Sequence, residues 1–139
     1  MIADLILDAV GSLLAPGSGG RRQTRTQERI YAEGGEVLFE ACALGDRPYC
    51  TAAVVFLAVS RRALHVSPTE VKSLGRRTLP AEHIGIRRIR RRTRSDSRFI
   101  RPFWEIAECH EGGVDFLIAC APEHMRLLAR TLEREGPPD

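Results

Sequence analysis

The sequence predicts a mainly β (α+β) domain of about seven antiparallel strands closed by one C-terminal helix, with an amphipathic helix ahead of it. Two features carry that expectation. Apolar residues recur at helical spacing over 2–15, then at period two or in short unbroken runs between turn residues up to 121, and at helical spacing again from 122. The chain has 139 residues and is 43% apolar and 28% charged, which suits one soluble domain with one sizeable core.

In residues 2–15, Ile2, Leu5, Ile6, Ala9, Val10, Leu13 and Leu14 share one helical face, with Asp4, Asp8 and Ser12 opposite and Pro16-Gly17 as the stop. Such a face packs on its own domain, on a second copy, or into a partner groove or membrane surface. The two aspartates and the missing basic residue speak against anionic lipid there. Residues 16–29, PGSGGRRQTRTQER, read as a flexible basic linker.

Strands are then expected over Glu36–Leu44, Tyr49–Ser60 and Ala63–Val66, joined by Gly45-Asp46-Arg47-Pro48 and Arg61-Arg62 into a meander. Pro68–Gly75 reads as a loop and Arg77–Pro80 as a short strand ended by its proline. The fifth strand runs from Ile84 to Arg92. Arg98–Cys109 and Val114–Ala121 form a hairpin over Gly112-Gly113, a turn that sets Cys109 opposite Phe116 and Cys120 opposite Glu105. Pro122 suits the first turn of the last helix, Glu123 complements its positive end, and Met125, Leu127, Leu128 and Leu132 face inward. The expected organisation is a helix at 1–15, a linker at 16–29, a domain at 30–135 and a tail at 136–139.

This order is similar to the pleckstrin-homology-like superfold, in particular its compact bacterial members. The carriers are a long apolar second strand flowing into AVSRRALHV, then LPAEHIGIRRI, the aromatic FWEI, the strand VDFLIAC and the closing amphipathic helix. The resemblance spans residues 30–135 and implies a bent seven-stranded, partly open barrel capped at one corner by the C-terminal helix. It does not carry over the basic constellation that many lipid-binding members place around the first hairpin loop. Here that loop offers Arg47 beside Asp46.

The charge has moved instead to residues 87–101, where eight arginines (Arg87, Arg88, Arg90, Arg91, Arg92, Arg94, Arg98 and Arg101) stand with one aspartate, Asp96. That stretch is +7 in a chain of +3, so the remainder sums to −4. Twenty of the 21 basic residues are arginine, which supplies planar, bidentate donors for carboxylate or phosphate. Strand alternation puts Arg88, Arg90, Arg92 and Arg94 on one face and Arg87, Ile89 and Arg91 on the other, and Ile84 and Ile86 agree with this only through a bulge or bend near Gly85. The ridge is a solvated edge neutralised by the chain's own glutamates, with Glu105 and Glu108 as candidates, or a docking surface for an acidic protein or second subunit, or a site for a polyanion. In the last case anionic lipid headgroups rank ahead of nucleic acid. Phe103 and Trp104 alternate, so at least one belongs to the core and the other is free to act as an anchor.

Signs of catalysis are lacking. His65, His83, His110 and His124 are scattered and read as solvated, and no metal spacing or phosphate-cradling loop occurs. Glu105 and Glu108 point to opposite faces, and Asp115 could reach His110 only as a surface pair. Cys42, Cys50, Cys109 and Cys120 show no zinc or disulfide spacing, which suits a reduced compartment. The expected protein is a non-enzymatic cytoplasmic interaction module without cofactor, using the Arg87–Arg101 ridge and the 2–14 apolar face to meet a protein partner or second copy. The inner membrane surface is the alternative contact.

Overall fold

Seven strands form one antiparallel sheet in the order β4-β3-β2-β1-β7-β6-β5, curled into a half-barrel and capped by the C-terminal helix. The strands are β1 Val37–Gly45, β2 Thr51–Val59, β3 Leu64–Ser67, β4 Arg77–Leu79, β5 Gly85–Arg91, β6 Glu105–Glu111 and β7 Val114–Cys120. Helix α1 is Gly20–Ala32, helix α2 is Pro122–Glu133, and a 3-10 turn at Ala81–His83 leads from β4 at one edge to β5 at the other. The computed structural model describes residues 20–70 and 75–133. The predicted 2–15 helix with its face of Ile2, Leu5, Ile6, Val10, Leu13 and Leu14 therefore lies outside the described residues, as do the 136–139 tail and part of the 68–75 loop.

Alternation along each strand divides the apolar residues between two faces. On the inner face Val37, Phe39 and Ala41 of β1 meet Val55, Leu57 and Val59 of β2, Phe116 and Ile118 of β7, and Met125, Leu128 and Leu132 of α2. The outer face carries a smaller cluster built from Cys42, Ile106 and Ala119 with Ile100 and Trp104. The β6–β7 hairpin has the expected register, with Glu105 opposite Cys120 and Cys109 opposite Phe116, and the four cysteines are free thiols. Helix α2 buries Met125, Leu127, Leu128, Thr131 and Leu132, as its spacing predicted.

Two expectations fail. Residues 20–29 are not linker but most of α1. Arginine and glutamine are good helix formers, yet GRRQTRTQER has almost no apolar periodicity, so the helix is held by contacts its sequence does not advertise. The Tyr31 hydroxyl donates to Thr131 Oγ1 at 2.8 Å, and Thr131 donates in turn to the Ser60 carbonyl at 2.7 Å. Gln27 Oε1 lies 2.9 Å from His124 Nε2, and the Arg130 guanidinium sits 5.6 Å over the Tyr31 ring. The helix ends in a Schellman arrangement: Gly35 N–H reaches the Ile30 carbonyl, Gly34 N–H reaches that of Tyr31, and Gly34 takes φ 91°. Arg61 caps the next orphan carbonyl, donating to Ala32 O at 2.7 Å.

The second failure is the strand predicted from Arg98. Pairing begins only at Glu105, and residues 93–104 are a succession of turns closed by Asp96 N–H to Thr93 O, Ile100 N–H to Ser97 O and Trp104 N–H to Arg101 O. Aromatic and β-branched residues suggested a strand, but Ile100 and Trp104, an even step apart, serve instead as plugs on the outer face.

The Tyr31–Thr131–Ser60 relay gives a direct test. Tyr31→Phe removes one hydrogen bond and is expected to cost about 1 kcal/mol. Thr131→Val strands both the Tyr31 hydroxyl and the Ser60 carbonyl and should cost about 2 to 3 kcal/mol. Urea denaturation reads both. Once Thr131 is valine, adding Tyr31→Phe should cost little more.

Candidate functional site: the arginine ridge and the loop beside it

Strand β5 is an edge of the sheet, and it carries one extra residue against β6. Gly85 pairs with His110 and Ile86 with Cys109, after which Arg88, not Arg87, pairs with Glu108. The bulge is therefore at Arg87, two residues beyond the expected place. It reconciles the two parities: Ile84 and Ile86 pack with the inner core, while Arg88 and Arg90 come onto the outer face with Glu108.

Arg90 is the centre of the outer face. Its Nη1 and Nη2 bond the two oxygens of Asp96 at 2.9 and 3.0 Å, and its Nε bonds Glu108 at 2.6 Å. Asp96 also accepts from the Thr93 N–H at 2.8 Å and the Thr93 hydroxyl at 3.0 Å. The Arg90 guanidinium, helped by those Thr93 donors, holds the Asp96 carboxyl well below the usual carboxylate range. Glu108 is shifted the same way by Arg88 first and Arg90 second. These bonds lock the loop on the strand it leaves, and Cys42 Sγ–H donates to Phe99 O at 3.2 Å on the other side.

The eight predicted arginines divide in two. Arg87 pairs with Asp115 at 3.0 Å, Arg88 with Glu108 at 2.9 Å, Arg90 with Asp96 and Glu108, and Arg101 with Glu40 at 2.7 Å. The Arg87 pair is exposed on both sides and contributes little. The Arg101 guanidinium also lies 5.3 Å over the Trp104 ring. Among the described residues Arg91, Arg92, Arg94 and Arg98 make no ion pair. Arg92 reaches the Ser97 carbonyl at 3.4 Å, with its Nε buried and unbonded, and Arg98 lies 5.6 Å over the Phe99 ring. Self-neutralisation thus accounts for half the ridge, through Glu108, which was anticipated, and through Asp96, Asp115 and Glu40, which were not. Of the two aromatics, Trp104 is buried, and Phe103 is 67% exposed, the most exposed large apolar side chain described.

Several polar groups elsewhere are occupied. Arg47 of the first hairpin loop lies 3.0 Å from Glu111, which also accepts from the Tyr49 hydroxyl at 2.6 Å. Two histidines expected to be solvated are not. His124 stacks on Phe39 with centroids 4.3 Å apart, and burial pushes its imidazole pKa below the ordinary value. His65 Nδ1 lies 2.9 Å from the Thr78 hydroxyl. His83 is exposed, and His110 packs so closely over Gly85 that a Cβ there would fall 2.5 Å from Nε2. Both border an open depression of about 540 Å³ with Glu82 and Glu133, but no group of three metal-ligating side chains forms among the described residues.

Compared with known proteins, the chain matches no family model, no curated protein and no solved structure. Among the described residues no helix is long and apolar enough to cross a membrane.

The clamp predicts an acid dependence. Because the Asp96 carboxyl is held below its unfolded value near ~4, its stabilisation is present above that pH and is lost as pH falls below it. Asp96→Asn should destabilise the domain by about 1.5 to 3 kcal/mol at neutral pH. It should also flatten the fall of the urea midpoint between roughly pH 4 and pH 2, where Asp96 of the unfolded chain takes up a proton and that of the folded chain does not.

Proposed function

We propose that this chain is a non-enzymatic, pleckstrin-homology-like interaction module of the cytoplasm. It docks an acidic protein segment on the 93–104 loop and the adjoining end of β5, with Phe103 as the apolar anchor. The observation that carries this is the pairing of a rigid support with an unsatisfied surface. The loop is fixed from below by Ile100, Trp104 and the Arg90–Asp96 bonds, yet it holds Phe103 in solvent and leaves Arg91, Arg94 and Arg98 without carboxylates. A large aromatic held out on a preorganised scaffold loses little entropy on binding, and arginine with an aromatic anchor is the composition of interface hot spots. Paired Arg87, Arg88 and Arg101 form the rim of that surface. What supports the pleckstrin-homology-like part is the strand order, with β1 between β2 and β7, together with the C-terminal helix over the inner face.

The test is a selection of random displayed peptides against the whole chain, followed by titration of the winners. Peptides combining acidic residues with a large apolar side chain are expected to enrich. Phe103→Ser should weaken them by about thirtyfold, as hot-spot truncations do, and R94S/R98S by about tenfold with a reduced salt dependence. Enrichment of sequences without acidic residues, or equal affinity for the Phe103→Ser variant, would sink the reading.

A further inference from the structure

Three elements far apart in sequence bring arginine together around α1. At 3.6 residues per turn, Arg21, Arg22, Arg25 and Arg29 fall within an arc of about 100°, and all four are exposed. Gln27 and Tyr31, on the other side of the helix, are held by His124 and Thr131, so the arginine side faces outward. At the C-terminal end of α1, the bond from Arg61 to the Ala32 carbonyl sets the exposed Arg61-Arg62 turn against the helix. Along its flank stand Arg126 and Arg130 of α2, which share the Glu28 carboxylate at 3.9 and 4.0 Å. Eight arginines thus belong to α1 or border it, and among the described residues Glu28 is the one carboxylate ion-paired with any of them.

A solvated helix face ordinarily mixes both signs, whereas Arg21, Arg25 and Arg29 are like charges at successive i+4 positions. What accompanies the charge identifies the anion it suits. Ile30, 37% exposed, is the one large apolar side chain of α1 that reaches solvent, and Tyr31 is buried beneath Arg130. Protein interfaces draw their affinity from an apolar core depleted in charge. Membrane-surface helices sink an apolar face below the headgroups. Single strands are gripped by stacking their bases on exposed aromatics. A duplex requires none of these, since its phosphates supply the affinity and arginine meets them in bidentate pairs. Double-stranded RNA is recognised through its 2′-hydroxyls as well. For those the arginine side offers little beyond guanidiniums, because the Thr26 hydroxyl already donates to the Arg22 carbonyl at 3.0 Å.

We propose that this surface binds the phosphate backbone of duplex DNA without regard to sequence. Arg21, Arg25 and Arg29 follow one line of the helix in steps of about 6 Å, so α1 lies along a strand and sets successive guanidiniums against its phosphates. The Arg61-Arg62 turn and Arg126 and Arg130 widen the contact beyond the helix. Phosphate contacts position a duplex without reading its bases, so the binding is blind to sequence. This site is independent of the loop surface. Tyr31 of α1 belongs to the inner-face core and the 93–104 loop covers the outer face, so the two cationic surfaces lie on opposite sides of the sheet.

Fluorescence anisotropy of a labelled DNA duplex of two helical turns, titrated with the full chain at several salt concentrations, tests this. The expected affinity is about 1 to 100 µM at physiological salt, equal for two unrelated sequences, with a log–log salt slope near about −5. R21Q/R25Q/R29Q keeps good helix formers, so its thermal midpoint should not move, while the slope should fall by about 3 and the affinity by about a hundredfold. R21K/R25K/R29K should bind within a few-fold of wild type, because it keeps the charge. R91S/R94S/R98S should bind like wild type. The proposal is overturned by failure of wild type to bind, by equal binding of the glutamine variant, by loss in the lysine variant as well, or by loss confined to R91S/R94S/R98S. Tighter binding to single-stranded DNA, to duplex RNA of the same sequence, or to phosphatidylcholine–phosphatidylserine vesicles would overturn it in favour of that anion.

Discussion

Arg90 holds the outer half of this molecule together. A curled sheet has two faces, and α1 and α2 both belong to the inner one. The outer face exposes Cys42, Val54, Ile106, Leu117 and Ala119 unless something else covers them. The 93–104 loop does so, and its position depends on one guanidinium that bonds Asp96 within the loop and Glu108 on the neighbouring strand. Lysine could not replace it, since a point charge satisfies one carboxylate geometry and the fork here serves two. The cover is a polar clamp with two apolar plugs beneath it, Ile100 and Trp104.

That clamp also decides where charge is left over. Asp96 and Glu108 are consumed by Arg90 and Arg88, Glu40 by Arg101 and Asp115 by Arg87. What remains is arginine on the loop and at the end of β5. On the other side of the sheet, packing of α1 through Tyr31 and Gln27 turns its four arginines to solvent. In both places a specific buried contact orients an unbalanced surface, so the distribution of charge follows from the packing.

The sheet was legible because its strands carry their own pattern. Alternation in β1, the apolar run of β2, and the Gly112-Gly113 turn were enough to give the order of elements and the register that sets Cys120 opposite Glu105. Helix α1 was not legible, since its anchors are single residues, Gln27 and Tyr31, whose respective partners His124 and Thr131 lie about a hundred positions away. Residues 98–104 misled for the opposite reason. Phe99, Ile100, Phe103 and Trp104 have strand-forming side chains, but turns at Ser97 and Arg101 redirect them, and no local signal distinguishes a plug from a strand. The ridge was legible as a count of arginines, though not as a division into paired and unpaired ones. Of the carboxylates that divide it, Glu40 stands on β1 and Asp115 on β7.

The central place of β1 has a consequence for how the chain comes together. Its flanks are β2, the next strand in sequence, and β7, nearly the last, so that Cys42 pairs with Ala119. During synthesis the β1–β4 meander is complete long before β7 emerges, and until then β1 is an edge strand, its Cys42 and Leu44 making an apolar outer face with Val54 of β2. Closing so long a stretch of chain is the slow, entropically costly step of such a topology. The partly made molecule therefore passes through a sticky stage, which ends when the hairpin docks and brings the Arg90 clamp down over it.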